Sequence, residues 1–99
     1  MMSSSICLMN WTDQGVRDYK ETVDRFEQAK KLAVQFGTEF KEIYWTPGGP
    51  YDLVSIMEYP DQKSAAAFGL LLESIGNLRI TWADAYGPDE MRSVLAAGG

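Results

Sequence analysis

The chain has 99 residues, 45% of them hydrophobic and 23% charged, which is enough apolar content for one buried core and too little length for two. A formal net charge of −5 excludes the basic footprint that neutralises phosphates in nucleic-acid binders, so no nucleic-acid partner is expected. Histidine is absent, which removes histidine-dependent zinc sites and Ser-His-Asp or Cys-His catalysis.

No apolar run approaches the roughly 20 residues of a spanning helix, and Met1 to Ser5 carries no basic n-region. The expectation is a cytoplasmic protein without a membrane partner, folded as a single domain over residues 1–99 with an ordered core of about 5–95. The one cysteine, Cys7, sits in an apolar stretch and reads as a small buried hydrophobe. No metal or cofactor is implied, so an enzymatic role would rest on carboxylates, Tyr, Lys, Arg or a borrowed cofactor.

In chain order, Ser4 to Trp11 is a short apolar run suited to a buried strand. Thr12 and Asp13 are N-cap candidates for a helix that places Val16, Tyr19, Val23, Phe26, Ala33 and Phe36 at mainly helical spacing. Glu21 with Arg25 and Glu27 with Lys31 form i,i+4 pairs that mark a solvated face. Gly37 closes the helix; a restart at Thr22, with residues 13–21 as a looser segment, is the alternative.

Glu39 to Thr46 and Tyr51 to Tyr59 are strand-like and flank Pro47-Gly48-Gly49-Pro50, a turn signal that makes them a hairpin. A Pro-Gly pair suits a type II turn, which predicts a positive φ at Gly48 or Gly49. Asp61 caps a second helix through Ala65, Phe68, Leu71, Leu72 and Ile75, ending at Gly76-Asn77. Leu78 to Tyr86 then alternates with period 2 as a last strand, Gly87-Pro88 breaks it, and Met91, Val94 and Leu95 share one face of a short C-terminal helix.

The order is βαββαβ, an α+β ferredoxin-like layout. Right-handed crossovers give an antiparallel sheet of order 4-1-3-2 with both helices on one face. Clean polar-out alternation is expected on the other face of a monomer. Instead Ile6 and Leu8 oppose Cys7, Met9 and Trp11, and Val54 and Ile56 oppose Leu53 and Met57. Both faces are apolar, so a homodimer or higher homo-oligomer through the sheet face is expected, the alternative being a C-terminal helix folded over it.

Three stretches carry a resemblance: Leu8-Met9-Asn10-Trp11-Thr12-Asp13-Gln14-Gly15; Gly49-Pro50-Tyr51-Asp52-Leu53-Val54; and Pro60-Asp61 leading to Ala65-Ala66-Ala67-Phe68, with Gly76-Asn77-Leu78-Arg79 after it. In this order they resemble the GYD domain family, with Gly49, Tyr51 and Asp52 matching its Gly-x-Tyr-Asp hairpin. The chain departs from the family at Thr22-Val23, where a Ser-Pro step is common. The resemblance implies a prokaryotic domain of the dimeric α+β barrel type and brings no established activity.

The topology gathers Asn10, Trp11, Trp45, Tyr51, Asp52 and Arg79 at one edge of the sheet, a mix of aromatic walls, a carboxylate, a guanidinium and an amide that suits a small-molecule pocket. Each has a structural alternative: Asp52 as an acceptor for turn amides, the tryptophans as core or interface anchors, and Arg79 as an ion-pair partner of Asp52 or Asp13. Pro47-Gly48-Gly49-Pro50 lacks the Lys-Ser/Thr of a phosphate loop. Three functions follow: a homo-oligomeric small-molecule-binding or sensory domain, a cofactor-independent enzyme of monooxygenase or isomerase type by analogy of fold, or a structural assembly protein. An enzyme requires a perturbed carboxylate in a cavity, a binder an apolar cavity without one, and an assembly protein no cavity.

Overall fold

The computed structural model describes residues 2–99. Strands β1 (Ser3–Trp11), β2 (Glu39–Trp45), β3 (Leu53–Tyr59) and β4 (Leu78–Ala85) form one antiparallel sheet of order β2-β3-β1-β4. This is the expected 4-1-3-2 order read from the other edge. Helices α1 (Asp13–Arg17), α2 (Thr22–Gln35), α3 (Gln62–Ile75) and α4 (Pro88–Ala97) complete the chain.

Alternation along the strands decides which side chains meet the helices. Ser5, Cys7 and Met9 of β1 and Leu53, Ser55, Met57 and Tyr59 of β3 are buried under the helices. Phe68 of α3 is fully buried at the centre of this layer and packs against Phe36 and Phe40, with ring centroids 5.6 and 5.8 Å away. Ile6, Leu8, Val54 and Ile56 lie on the opposite face, where they are half-buried or, for Ile6, 38% exposed. Helix α4 does not bury that face: all ten of its residues are exposed, Met91, Val94 and Leu95 included.

The hairpin turn forms as its chemistry demands. Gly49 N–H donates to Thr46 O at 3.0 Å, and Gly48 takes φ +84° at the third turn position, where a Cβ is disfavoured. Tyr51 and Asp52 precede β3 instead of beginning it. Helix α3 starts where Asp61 accepts the Ser64 N–H at 2.8 Å, and this bond holds its carboxyl below the usual range.

The first helical region is not one helix. Asp18 leaves helical geometry at φ −112°, ψ 41°, a 3₁₀ turn covers Tyr19–Glu21, and α2 begins at Thr22. Two anchors impose the break. Thr12 and Gly15 fasten α1 to Asn77, whereas Thr22 Oγ1 accepts a hydrogen bond from Trp45 Nε1 at 2.9 Å, which ties the start of α2 to the end of β2.

The break changes the inward face up to Val23 and leaves Phe26, Ala33 and Phe36 inward as expected. Val16, Tyr19 and Val23, expected inward, are exposed, and the inward stripe of α2 runs through Thr22, Arg25, Phe26, Ala29, Leu32, Ala33 and Phe36. Neither expected i,i+4 ion pair forms. Glu27 meets Lys30 at 3.9 Å, exposed on both sides, while Arg25 turns inward and donates to the carbonyls of Gly15 at 3.0 Å and Asp18 at 2.6 Å.

Candidate functional site

Two sequence segments distant along the chain interlock at the end of the sheet. Thr12 N–H donates to Asn77 O at 3.1 Å, its hydroxyl donates to Gly76 O, and the same hydroxyl accepts the Gly15 N–H at 3.1 Å as the cap of α1. Gln14 Nε2 donates to Ile75 O and Asn77 Oδ1 at 3.1 and 3.2 Å. Gly15 lies so close to Asn77 that a Cβ would sit 2.1 Å from the Asn77 carbonyl oxygen. A glycine is therefore required there by close approach rather than by its dihedral angles.

Above this joint, α2, α3 and the sheet line a partly open cavity of about 150 Å³. Its floor is Met9, Trp11, Phe40, Ile43, Leu53 and Leu78 from the four strands. The helices contribute Phe26, Ala29 and Leu32 from α2 and Leu72 and Ile75 from α3. The polar lining is confined to Thr22, Arg25, Gln28 and Asn77, and contains no carboxylate. Arg25 is half-buried and, among the described residues, has no carboxylate within 4.0 Å.

The six residues anticipated at the sheet edge separate onto different surfaces. Trp11 lines the cavity. Trp45 packs edge-on against Phe26, centroids 5.9 Å apart, and reaches the cavity only through its bond to Thr22. Asn10 and Arg79 are cross-strand partners, on the face away from the helices, and Arg79 is exposed without an ion-pair partner among the described residues. Asp52 is neither a cavity residue nor a cap of its own turn. Its Oδ2 accepts the Trp11 N–H at 2.9 Å and its own N–H donates to Met9 O at 2.9 Å, which prolongs the β1–β3 joint past the last strand pair. Tyr51 is half-buried in the same approach, and its carbonyl accepts from the Thr46 hydroxyl.

Arg25 was absent from the sequence-derived set, although it lies three residues after Thr22 and four before Ala29, the spacing of a shared helix face. A second, more open hollow of about 200 Å³ lies beside α3, lined by Ser5, Tyr59, Gln62, Trp82 and Asp84 among others. Ser5 Oγ and Tyr59 OH are hydrogen-bonded to each other on its floor. Burial pushes the Cys7 thiol from an ordinary 9.0 up to about 12, offset a little by the neighbouring Ser55 hydroxyl. It is thus an inert core thiol. Among the described residues no cluster of His, Cys, Asp or Glu suits a metal ion, and no helix is long and apolar enough to cross a membrane.

A family model described as the GYD domain matches residues 6–95. The match covers the sheet from Ile6 onward, the cavity and the Thr12–Asn77 joint, and the chain belongs to the GYD domain family. No curated protein and no solved structure matches it.

Proposed function

We propose that this member of the GYD domain family is a small-molecule-binding domain whose ligand occupies the cavity between α2, α3 and the sheet, and that it works as a homo-oligomer. The observation that carries the reading is the cavity itself: about 150 Å³ with a mainly apolar lining, four polar residues (Thr22, Arg25, Gln28 and Asn77) and no carboxylate in the wall. An apolar cavity of about this volume accepts a benzene-sized ring. The lack of an acid in the wall favours binding over acid–base catalysis. Trp11 supplies an aromatic wall, and Trp45 holds Thr22 in place behind it.

Self-association is supported by the second sheet face, where Ile6, Leu8, Val54 and Ile56 form an apolar centre that α4 leaves open. A second copy laid on that face would meet Asn10 and Arg79 at its rim, and Tyr51 and Asp52 beside them. Such an interface needs at least roughly 1,200 Å² of total buried surface.

The cavity reading is tested with toluene as probe. A ligand that binds only the folded state raises the melting temperature, so toluene is expected to stabilise the parent chain and to lose that effect in Ala29→Leu, which fills the space from α2. No shift in the parent would end this reading. Sedimentation at micromolar concentration tests the second half, and a stable monomer of 11.1 kDa would end it.

A further inference from the structure

We infer that the ligand of this cavity is a monocyclic aryl carboxylate, its ring among the apolar side chains and its carboxylate on Arg25. The inference rests on the cavity reading above and goes further by naming the chemistry at the polar side.

Arg25 has five N–H donors, and two bonds, to Gly15 O and Asp18 O, fix the guanidinium in place. Three donors therefore remain on a half-buried cation that lines an apolar space and has no carboxylate within 4.0 Å among the described residues. A guanidinium held this way is suited to planar, two-point recognition of a carboxylate, and with its orientation already fixed it loses little freedom on binding.

The neighbours of Arg25 reinforce the preference for an acceptor. Thr22 Oγ1 accepts from Trp45 Nε1, so its own O–H is left to donate. Asn77 Oδ1 accepts from Gln14 Nε2, which leaves the Asn77 amide N–H groups as donors. The backbone of Arg25 stands at the start of α2, while its guanidinium lies against the last carbonyls of α1, at Gly15 and Asp18, an end of a helix that suits a cation and holds it at the cavity wall. Asp24 shares the first turn of α2 but is exposed, and it does not reach Arg25. An anionic ligand would meet the guanidinium beside apolar walls, which screen the charge less than water does.

Size sets the rest of the class. About 150 Å³ holds one six-membered ring, so a fused polycyclic acid or a nucleotide is too large. An aliphatic acid of the same length would leave the walls of Trp11 and Phe26 without a flat partner.

The test compares benzoate with benzamide, which share ring and shape and differ in charge, on the native chain by calorimetry at low salt. Benzoate is expected to bind at least tenfold tighter than benzamide, with the preference shrinking as salt is raised. In Arg25→Gln the ratio of the two affinities is expected to fall to near one. Because Arg25 also ties α1 down, the native contrast decides the matter if that variant fails to fold. Equal affinity of the native chain for the two probes, with toluene still bound, would overturn the carboxylate assignment and leave the cavity reading standing. Binding of none of the three would overturn both.

Discussion

The two faces of the sheet are made of similar residues and have opposite fates. Under the helices, Cys7, Met9, Leu53 and Met57 are at most 4% exposed, and around them Phe36, Phe40, Trp45 and Phe68 pack into the layer that also holds the cavity. On the other face Ile6, Leu8, Val54 and Ile56 alternate with those same residues yet stay half-open. Apolar patterning gives a strand its two faces, while coverage depends on where the helices are anchored. Here the anchors are Thr12 and Gly15 on Asn77 and Thr22 on Trp45, all on one side.

Truncating each face in turn is the most direct way to break this comparison. Phe68→Ala removes a fully buried ring and is expected to cost about 3–5 kcal/mol in urea unfolding. Ile6→Ser on the open face is expected to cost less than about 1 kcal/mol of protomer stability while shifting sedimentation toward the monomer. A similar cost at both sites in a chain that stays monomeric would mean that the open face is covered from within.

The joint that sets the helix layer is probed next. Gly15→Ala drives a Cβ to 2.1 Å from the Asn77 carbonyl oxygen, contact with backbone that no rotamer change relieves. The expected loss is about 2–3 kcal/mol, with the cavity probe weakened as α1 is displaced. Unchanged stability would show that α1 is free to shift away from β4.

Asp52→Asn sharpens the separation between sheet edge and cavity. Asn keeps a carbonyl oxygen for the Trp11 N–H but loses the charge on the acceptor, so about 1 kcal/mol of stability is expected to go, with toluene affinity unchanged because Asp52 is not a lining residue. Loss of toluene affinity at full stability would instead make Asp52 part of the ligand site.

The smallest effect near neutral pH concerns Cys7. Its folded pKa is raised from 9.0 to about 12, so its contribution to stability is complete below about pH 9 and is lost as pH rises toward 12, because the unfolded chain releases the proton first. Between pH 7.5 and 9.5 the parent is expected to lose somewhat under about 1 kcal/mol more than Cys7→Ala. Identical pH profiles would indicate a thiol that water reaches.

Legible in the sequence were the order of elements, the 4-1-3-2 sheet, the two alternating sets of β1, β3 and β4, the Pro47-Gly48 turn and the apolar character of both sheet faces; which set meets the helices was not. These rest on spacings of two to four residues and on local cap and turn chemistry, which neighbouring positions reveal. Between one continuous helix and a restart at Thr22, both readable in the sequence, the tertiary contacts chose the restart, and with it the inward turn of Arg25. Each residue rotates a helix face by about 100°, so a short 3₁₀ insertion moves Val16, Tyr19 and Val23 off the inward face while Phe26, Ala33 and Phe36 keep it. Tertiary structure also decided that Asp52 serves the Trp11 backbone and that Gly15 abuts Asn77, contacts between segments 41 or more residues apart. The cavity is the volume left over when α2 and α3 are fixed at such distant anchors, and a residual volume has no periodicity from which a sequence reveals it.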